Sequence, residues 1–402
     1  MATIDPARLL ADLATLRGFG RFRSGVHRPT LSPEDVASRR WLAGRMQEAG
    51  LDARIDGIAS VYGFTRKPGK RLLIGSHLES QNEAGWLDGA MGVIYGLEIA
   101  RALPELPIDV VAFVDEEGHF GSFLGSRSFI GDVSEAEIDA ARCRTRGIAM
   151  RDALAEAGLA GVPRITLDDP SRYAGFLEAH IEQGDELEAK GLRVGVVTSI
   201  VAIWNFRIRF EGVQNHAGTT RMAIRKDAGV AMVRLANRIH DTMPQVIAER
   251  SVWTIGRMGL DPNAPSIIPG AAEMNVQVRD ADPVVLDRME AHLRALVAEA
   301  DAAGPCRVTI EDGSKGIPKV MDARFQEALA AAAEARAPGA WQRMPSGAGH
   351  DAQVVALRVP AGMLFVPSIG GISHHWTEDT KEEDIVLGCA VMADAAERLL
   401  MG

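Results

Sequence analysis

One stretch, residues 71–121, constrains the fold more than any other: RLLIGSHLESQNEAGWLDGAMGVIYGLEIARALPELPIDVVAFVDEEGHFG. A strand-like run, 71–76, ends in His77. A loop then leads to Asp88 at the start of an apolar helix, 89–101. A second buried strand, 108–114, ends in Asp115, Glu116 and Glu117. Strand ends beside helix starts are where α/β folds build their sites. An imidazole and several carboxylates converging there suit Zn²⁺ or a similar divalent ion.

The rest of the chain extends this α/β pattern. With 402 residues the chain exceeds what one core usually serves, so two domains are expected. Apolar spacing predicts a helix over 5–16. Ser32, Pro33, Glu34 and Asp35 open another that runs to about Ala49 and stops at Gly50. Short strands are expected near 53–56 and 60–64, and an alanine-rich, acidic surface helix pair over 134–159. Residues 176–180 form a strand ending in His180, and a charged helix follows at 185–190. From Phe206 the order becomes β-α-β-β-α-β (206–211, 225–241, 252–259, 271–279, 283–302, 307–311), that of a small ferredoxin-like sandwich. It reads as an insertion, residues 206–317, into a discontinuous domain of 1–205 and 318–402. That domain resumes with a helix at 324–335, a strand at 361–366 and a last helix at 382–400.

Composition narrows the function. A net charge of −10 argues against a nucleic-acid partner. Cys143, Cys306 and Cys389 show no paired spacing and read as reduced thiols. The N-terminal residues lack a signal-peptide pattern and no apolar run is long enough to cross a bilayer, so a cytoplasmic location is expected.

His77, Asp88, Glu117, His180 and His374 are the candidate ligands, each beside a strand end or a glycine-rich segment. A single histidine so placed is more often structural. Five such positions beside a Glu116-Glu117 pair point to metal. Two adjacent ions need a bridging carboxylate. Asp88 fits that place, because it starts a helix between two ligand-bearing strands. Of the paired glutamates, one would bind metal while the other shuttles protons.

GSHLES, LDGAMGV, DEEGHFG, FLEAHIEQG, NHAGTTRMAIRKDA, PSGAGHDA and GMLFVPSIGGISHHWTE together resemble the hydantoinase/carbamoylase family. This is the amidase branch of the di-zinc aminoacylase and carboxypeptidase group, and the motifs cover nearly the whole chain in the family's order. The resemblance implies a di-metal α/β domain with a central mixed sheet, interrupted by a ferredoxin-like lid that makes a homodimer. It implies two divalent ions (Zn, or Mn, Co or Ni). His77 and His180 would bind one, Glu117 and His374 the other, and Asp88 would bridge them. Glu116 would be the general base, then the acid for the departing nitrogen. His216, from the lid of the partner subunit, would polarise the scissile carbonyl. Arg279 would grip the substrate carboxylate, and Gln183 would be a polar neighbour. Without the resemblance, Arg279 also reads as a surface strand residue and His216 as a turn histidine. His119, His350 and His375 are not expected to be direct ligands.

The chain departs from the family's pattern on the substrate side. Glu79 stands for an aspartate that orients His77, a change that can tune the metal. Ser266 replaces a substrate-binding asparagine, Gln277 an aspartate, and Arg221 and Trp376 prolines. Trp86 is bulky beside the expected bridging residue. The expected substrate is a small N-carbamoyl (ureido) or N-acyl amino acid. Residues 200–204, Ile-Val-Ala-Ile-Trp, are read as an apolar lining unsuited to the second ureido arm of allantoate. The alternatives are an allantoate-type amidohydrolase, an aminoacylase or metallo-exopeptidase, and a non-catalytic dimeric metal-binding protein.

Overall fold

The computed structural model describes residues 2–401. Two compact units result: Ser199–Lys319, and the chain on either side of it. The boundaries expected at 205/206 and 317/318 move outward, because the first cuts the strand Ala202–Glu211, which runs four residues earlier than its apolar alternation begins.

The first unit is a mixed α/β layer. Its centre is four parallel strands in the spatial order Ala361–Val366, Tyr173–Ile181, Arg71–His77, Ile108–Phe113. Antiparallel strands flank them: Val194–Ile200 on one side, Val61–Phe64 and Asp52–Ile55 on the other. The central strands are buried throughout most of their length, as continuous apolar runs require. From Arg71–His77 the chain crosses through the helix Ala90–Ala102 to Ile108–Phe113 on one side. It later returns to Tyr173–Ile181 on the other. This reversal leaves a crevice at the carboxyl ends of the strands, where open α/β sheets bind ligands.

Local chemistry sets the element ends. Ser32 Oγ accepts a bond from the Asp35 N–H at 3.2 Å, with Pro33 in the first turn and Gly50 at φ 82° beyond the helix Pro33–Glu48. The helix Ala90–Ala102 is buried from Ala90 to Ala100, as its apolar faces demand. The acidic segment after Ser134 forms two short helices, Glu135–Ala140 and Met150–Glu156. Ile138, Met150, Ala153 and Leu154 pack in a small core with Ile58, Val114 and Leu124.

The second unit contains Ala202–Glu211, Ala228–Thr242, Val252–Asp261, Ala271–Asp280, Pro283–Ala303 and Arg307–Lys315 in β-α-β-β-α-β order. Its sheet has the spatial order second, third, first, fourth strand, with every neighbour antiparallel. One face, with Phe206, Ile208, Phe210, Met274, Val276 and Val278, is buried against the two helices.

The three cysteines are buried and free. No helix among the described residues is long and apolar enough to cross a membrane.

Candidate active site

Six of the expected residues meet at the crevice. His77 is the last residue of its strand, and His180 is the last but one of the neighbouring strand. Glu116 and Glu117 follow the end of Ile108–Phe113, and Asp88 lies just before the helix Ala90–Ala102. His374 arrives on a loop that follows Ala361–Val366.

Asp88 joins two donor groups: His77, Asp88 and His180, and then Asp88, Glu117 and His374. Within each group the donor atoms lie within 4.8 Å of one another. Asp88 Oδ1 is 3.3 Å from His77 Nε2 and 3.0 Å from His180 Nε2. Asp88 Oδ2 is 3.5 Å from His374 Nε2, which is 3.6 Å from Glu117 Oε2. Each carboxylate oxygen of Asp88 therefore serves a different group.

The two buried imidazoles are held in one orientation. His77 Nδ1 is 3.1 Å from the Glu79 carbonyl oxygen, and His180 Nδ1 is 2.9 Å from that of Ile181. A carbonyl accepts only, so each Nδ1 carries a proton and each Nε2 faces Asp88. Lone pairs and a carboxylate at this distance repel unless a proton or a cation lies between them. Burial alone lowers His77, but Asp88, Glu116 and Glu79 override it and raise it well above the ordinary imidazole value. His180 is likewise raised, by Asp88 against its burial. Asp88, which burial would raise, is held well below the usual carboxylate range by His180 and His77. Glu117 Oε1 is buried and has no hydrogen-bond partner among the described residues. Unpaired buried oxygen and converging N and O donors fit a divalent cation.

Gly89 makes the packing possible. Its φ is 65°, and a Cβ there would collide with the His77 ring. Only glycine meets both conditions. Gly89→Ala is therefore expected to displace His77 and abolish the His77–Asp88–His180 group. Metal analysis of the purified variant checks this.

The surrounding carboxylates fix the loops. Glu79 was expected to orient His77 through its side chain. Its backbone carbonyl takes the hydrogen bond, and its carboxylate Oε1 lies 3.7 Å from His77 Nδ1. Glu79 Oε1 accepts the Glu116 N–H at 2.7 Å, and Oε2 accepts from the buried Arg39 at 2.6 Å. Glu116 Oε2 then lies 3.8 Å from His77 Nε2. Burial pushes the Glu116 carboxyl well above its usual range; His77 pulls it down, and Glu117, Asp351 and Asp88 push it up. A raised carboxyl in a cleft is a proton-transfer candidate. Gln183 donates to Asp88 Oδ2 at 3.0 Å and to Ser373 Oγ at 3.1 Å.

Glu378, the last residue of the GMLFVPSIGGISHHWTE segment, was given no role from the sequence. It is buried, and its Oε1 accepts the Leu87 and Asp88 N–H groups at 3.3 and 3.1 Å while Oε2 accepts from Ser373 Oγ at 3.2 Å. His119, His350 and His375 fall in neither donor group. His119 Nε2 is bonded to Ser80 O, His350 Nε2 to Ser346 Oγ, and His375 Nδ1 to Thr377 Oγ1.

The remaining expected residues lie in the second unit. His216 and Ser266 are brought together by a short antiparallel pair, Asn215–His216 with Ile267–Ile268, and the Ala217 N–H donates to Ser266 O at 3.0 Å. His216 Nδ1 accepts the N–H groups of Gly218 and Thr219 at 3.0 and 3.2 Å. Its proton is therefore on the exposed Nε2. Arg279 Nε donates to Gln277 Oε1 at 2.9 Å, Gln277 Nε2 to Asn205 Oδ1 at 2.9 Å, and Asn205 Nδ2 to Ser314 Oγ at 2.9 Å. Residues 200–204 were expected to line the substrate site. Ile200, Val201 and Ala202 are buried, and Trp204 packs toward the helix-covered core with its indole N–H on Gly316 O at 2.8 Å. Pleating puts Ile203, not Trp204, on the Arg279 face, directly opposite Arg279 in the register.

Fold and site define an α/β domain with a candidate divalent-metal centre at its strand ends. Residues 73–398 match the model of Peptidase family M20/M25/M40. The allantoate amidohydrolase of Escherichia coli (strain K12) is 31% identical over 384 residues, 92% of each chain. The N-carbamoyl-L-amino-acid amidohydrolase of Paenarthrobacter aurescens is 31% identical over 402 residues, 96% of each. The crystal structure of an amidase (hydantoinase/carbamoylase family) from Burkholderia phymatum has a TM-score of 0.91 and 52% identity over 100% of this chain and 99% of that one. The chain belongs to Peptidase family M20/M25/M40, in its hydantoinase/carbamoylase branch.

Proposed function

We propose that the chain is a two-metal amidohydrolase cleaving the linear amide C–N bond of an N-carbamoyl or similar N-acyl amino acid with a free carboxylate. The observation that carries this is one carboxylate, Asp88, shared between two donor groups, with Glu116 against the first. His77, Asp88 and His180 would hold one ion and Asp88, Glu117 and His374 the other; Zn²⁺ suits the set, as do Mn²⁺, Co²⁺ and Ni²⁺. Divalent ions there supply Lewis acidity and lower the pKa of water. Glu116 takes the proton of the attacking water and passes it to the departing nitrogen. His216 of the partner subunit donates its Nε2 proton to the carbonyl oxygen as negative charge develops. Arg279 receives the substrate carboxylate in its guanidinium fork.

The second unit then acts as a ferredoxin-like lid and dimerisation element of a cytoplasmic homodimer. Support comes from Val252–Asp261, which ends its sheet and exposes Val252, Met258 and Leu260, and from Val230 and Val233, exposed on Ala228–Thr242. An uncovered apolar edge is a pairing surface.

Two substrate classes have relatives of equal identity, so overall likeness does not choose between them. The Arg279–Gln277–Asn205–Ser314 chain favours the simpler substrate. Its amide oxygens are already taken, and a ureido N–H seeking them would have to displace bonds worth about 0.5–1.5 kcal/mol each. A panel of N-carbamoyl amino acids, N-acyl amino acids, dipeptides and allantoate, assayed with added Zn²⁺, Mn²⁺ or Co²⁺, tests this. Fastest ammonia release from an N-carbamoyl amino acid is expected. Faster turnover of allantoate or of dipeptides selects those readings instead.

The raised His77 and His180 predict a proton-coupled metal site. The cation must displace protons held at Nε2, so affinity falls as pH is lowered through the raised values, and binding releases protons. Calorimetry in buffers of different ionisation enthalpy reads the released protons directly. Binding heats that are independent of buffer reject the prediction.

A further inference from the structure

The two donor groups are supported differently. His77 and His180 are buried on adjacent strands. His374 is on a loop, its side chain is 51% exposed, and its φ is 55°. A non-glycine residue in the left-handed region persists where its surroundings over-determine it. Ser373 and Glu378 hold this loop from the buried side.

From the outside it is held by the hairpin Arg21–Phe22 and Gly25–Val26. One flank of the hairpin runs along the segment that leads to Asp88. Val26 and Ala84 exchange two backbone bonds of 2.9 Å, and the Ser80 N–H donates to Arg28 O at 3.0 Å. The other flank lies on the His374 loop. Ser24 Oγ donates to Trp376 O at 2.7 Å, and the Arg23 guanidinium sits 4.7 Å over the Trp376 ring. Arg17 completes the brace, donating to Ser24 O while stacking 4.6 Å over Trp86. At the junction is Gly25. A Cβ there would collide with Ala84 O and lie 2.8 Å from Trp376 Cα. Both tryptophans depart from the family's pattern, and both are partners of arginines next to this hairpin.

We propose that the hairpin is a positioning clamp for the exposed metal position. By fixing the Asp88 segment against the His374 loop, it sets the affinity of the Asp88–Glu117–His374 group for a divalent ion, while the His77–Asp88–His180 group depends on the sheet. This rests on the two-metal reading above.

The test is titration of the metal-free full chain with Zn²⁺ alone, alongside its metal-free melting temperature. Wild type is expected to bind two ions. In the double variant Arg23→Ala/Ser24→Ala the weaker dissociation constant is expected to rise about 10–100-fold, as when groups supporting a ligand are removed. The tighter constant and the metal-free melting temperature stay unchanged. Gly25→Ala, which wedges the same junction against backbone, lowers the metal-free melting temperature and still weakens the weaker constant far more than the tighter one, and Arg23→Lys with Ser24 retained keeps both constants near wild type. Unchanged constants in both variants overturn the clamp. So do two constants that weaken by the same factor alongside a lowered melting temperature, which is the signature of general structural damage. Fewer than two ions on wild type overturns the two-metal reading itself, and the clamp with it.

Discussion

Glu116→Gln is expected to keep the wild-type metal content and lower kcat by about 10²–10⁴-fold, the usual contribution of a positioned acid–base group. Metal is retained because Glu116 belongs to neither donor group. The loop is retained because Glu79 holds Glu116 through its backbone N–H, which the substitution leaves in place. The amide copies the shape of a neutral carboxyl. Burial already biases Glu116 toward that neutral form. A carboxyl whose folded pKa is raised costs stability once pH passes its unfolded value. Removing that ionisation leaves the metal-free protein as stable at neutral pH or more so. A thermal melt and a turnover assay on one preparation separate the outcomes. Near-parental turnover rejects Glu116 as the base, and lost metal rejects the division of labour between Glu116 and Glu117.

The site was legible where chemistry coincided with the period of an element. His77, Glu116, Glu117 and His180 follow continuous apolar runs that can only be buried strands, and Asp88 precedes a helix apolar on most faces. His374 has no such frame. It sits on a loop, and a glycine-rich neighbourhood, with the resemblance, is what picked it out. Glu378 lies in the same quoted segment but drew no role, for a related reason. In sequence it is one more acid in a polar run, and its carboxylate gains a role only when the loop meets the Asp88 N–H, 290 residues away in the chain.

One reading and two omissions have a local cause. Trp204 was read as pocket lining although Phe206, Ile208 and Phe210 already fix the phase of the strand. Extending that alternation backwards puts Trp204 on the buried face and Ile203 on the other. The strand Val194–Ile200 was passed over because it runs into Ala202–Glu211 with hardly a break, so nothing marks its end. Trp341–Ser346 was passed over because it carries a proline, which counts against a strand away from sheet edges. The Arg21–Val26 hairpin is too short for a period, and its importance comes wholly from the two distant segments it touches.

Asp88→Ala is expected to do more than any other single change: both ions are lost, and activity drops below that of Glu116→Gln. Each donor group loses a member at once, because Oδ1 faces His77 and His180 while Oδ2 faces His374. The loss extends beyond coordination. Gln183 loses an acceptor, and two buried imidazoles lose the carboxylate their Nε2 atoms face. Zinc added to wild type at 100 times its dissociation constant should stabilise the fold by about 2.7 kcal/mol per site and raise the melting temperature; the variant should show no shift. His374→Ala provides the contrast, since it removes a donor from one group only and should keep one ion. An Asp88→Ala protein that still binds one ion with wild-type affinity would show that the carboxylate serves a single cation. The shared water, and the role given to Glu116 beside it, would then have to be abandoned.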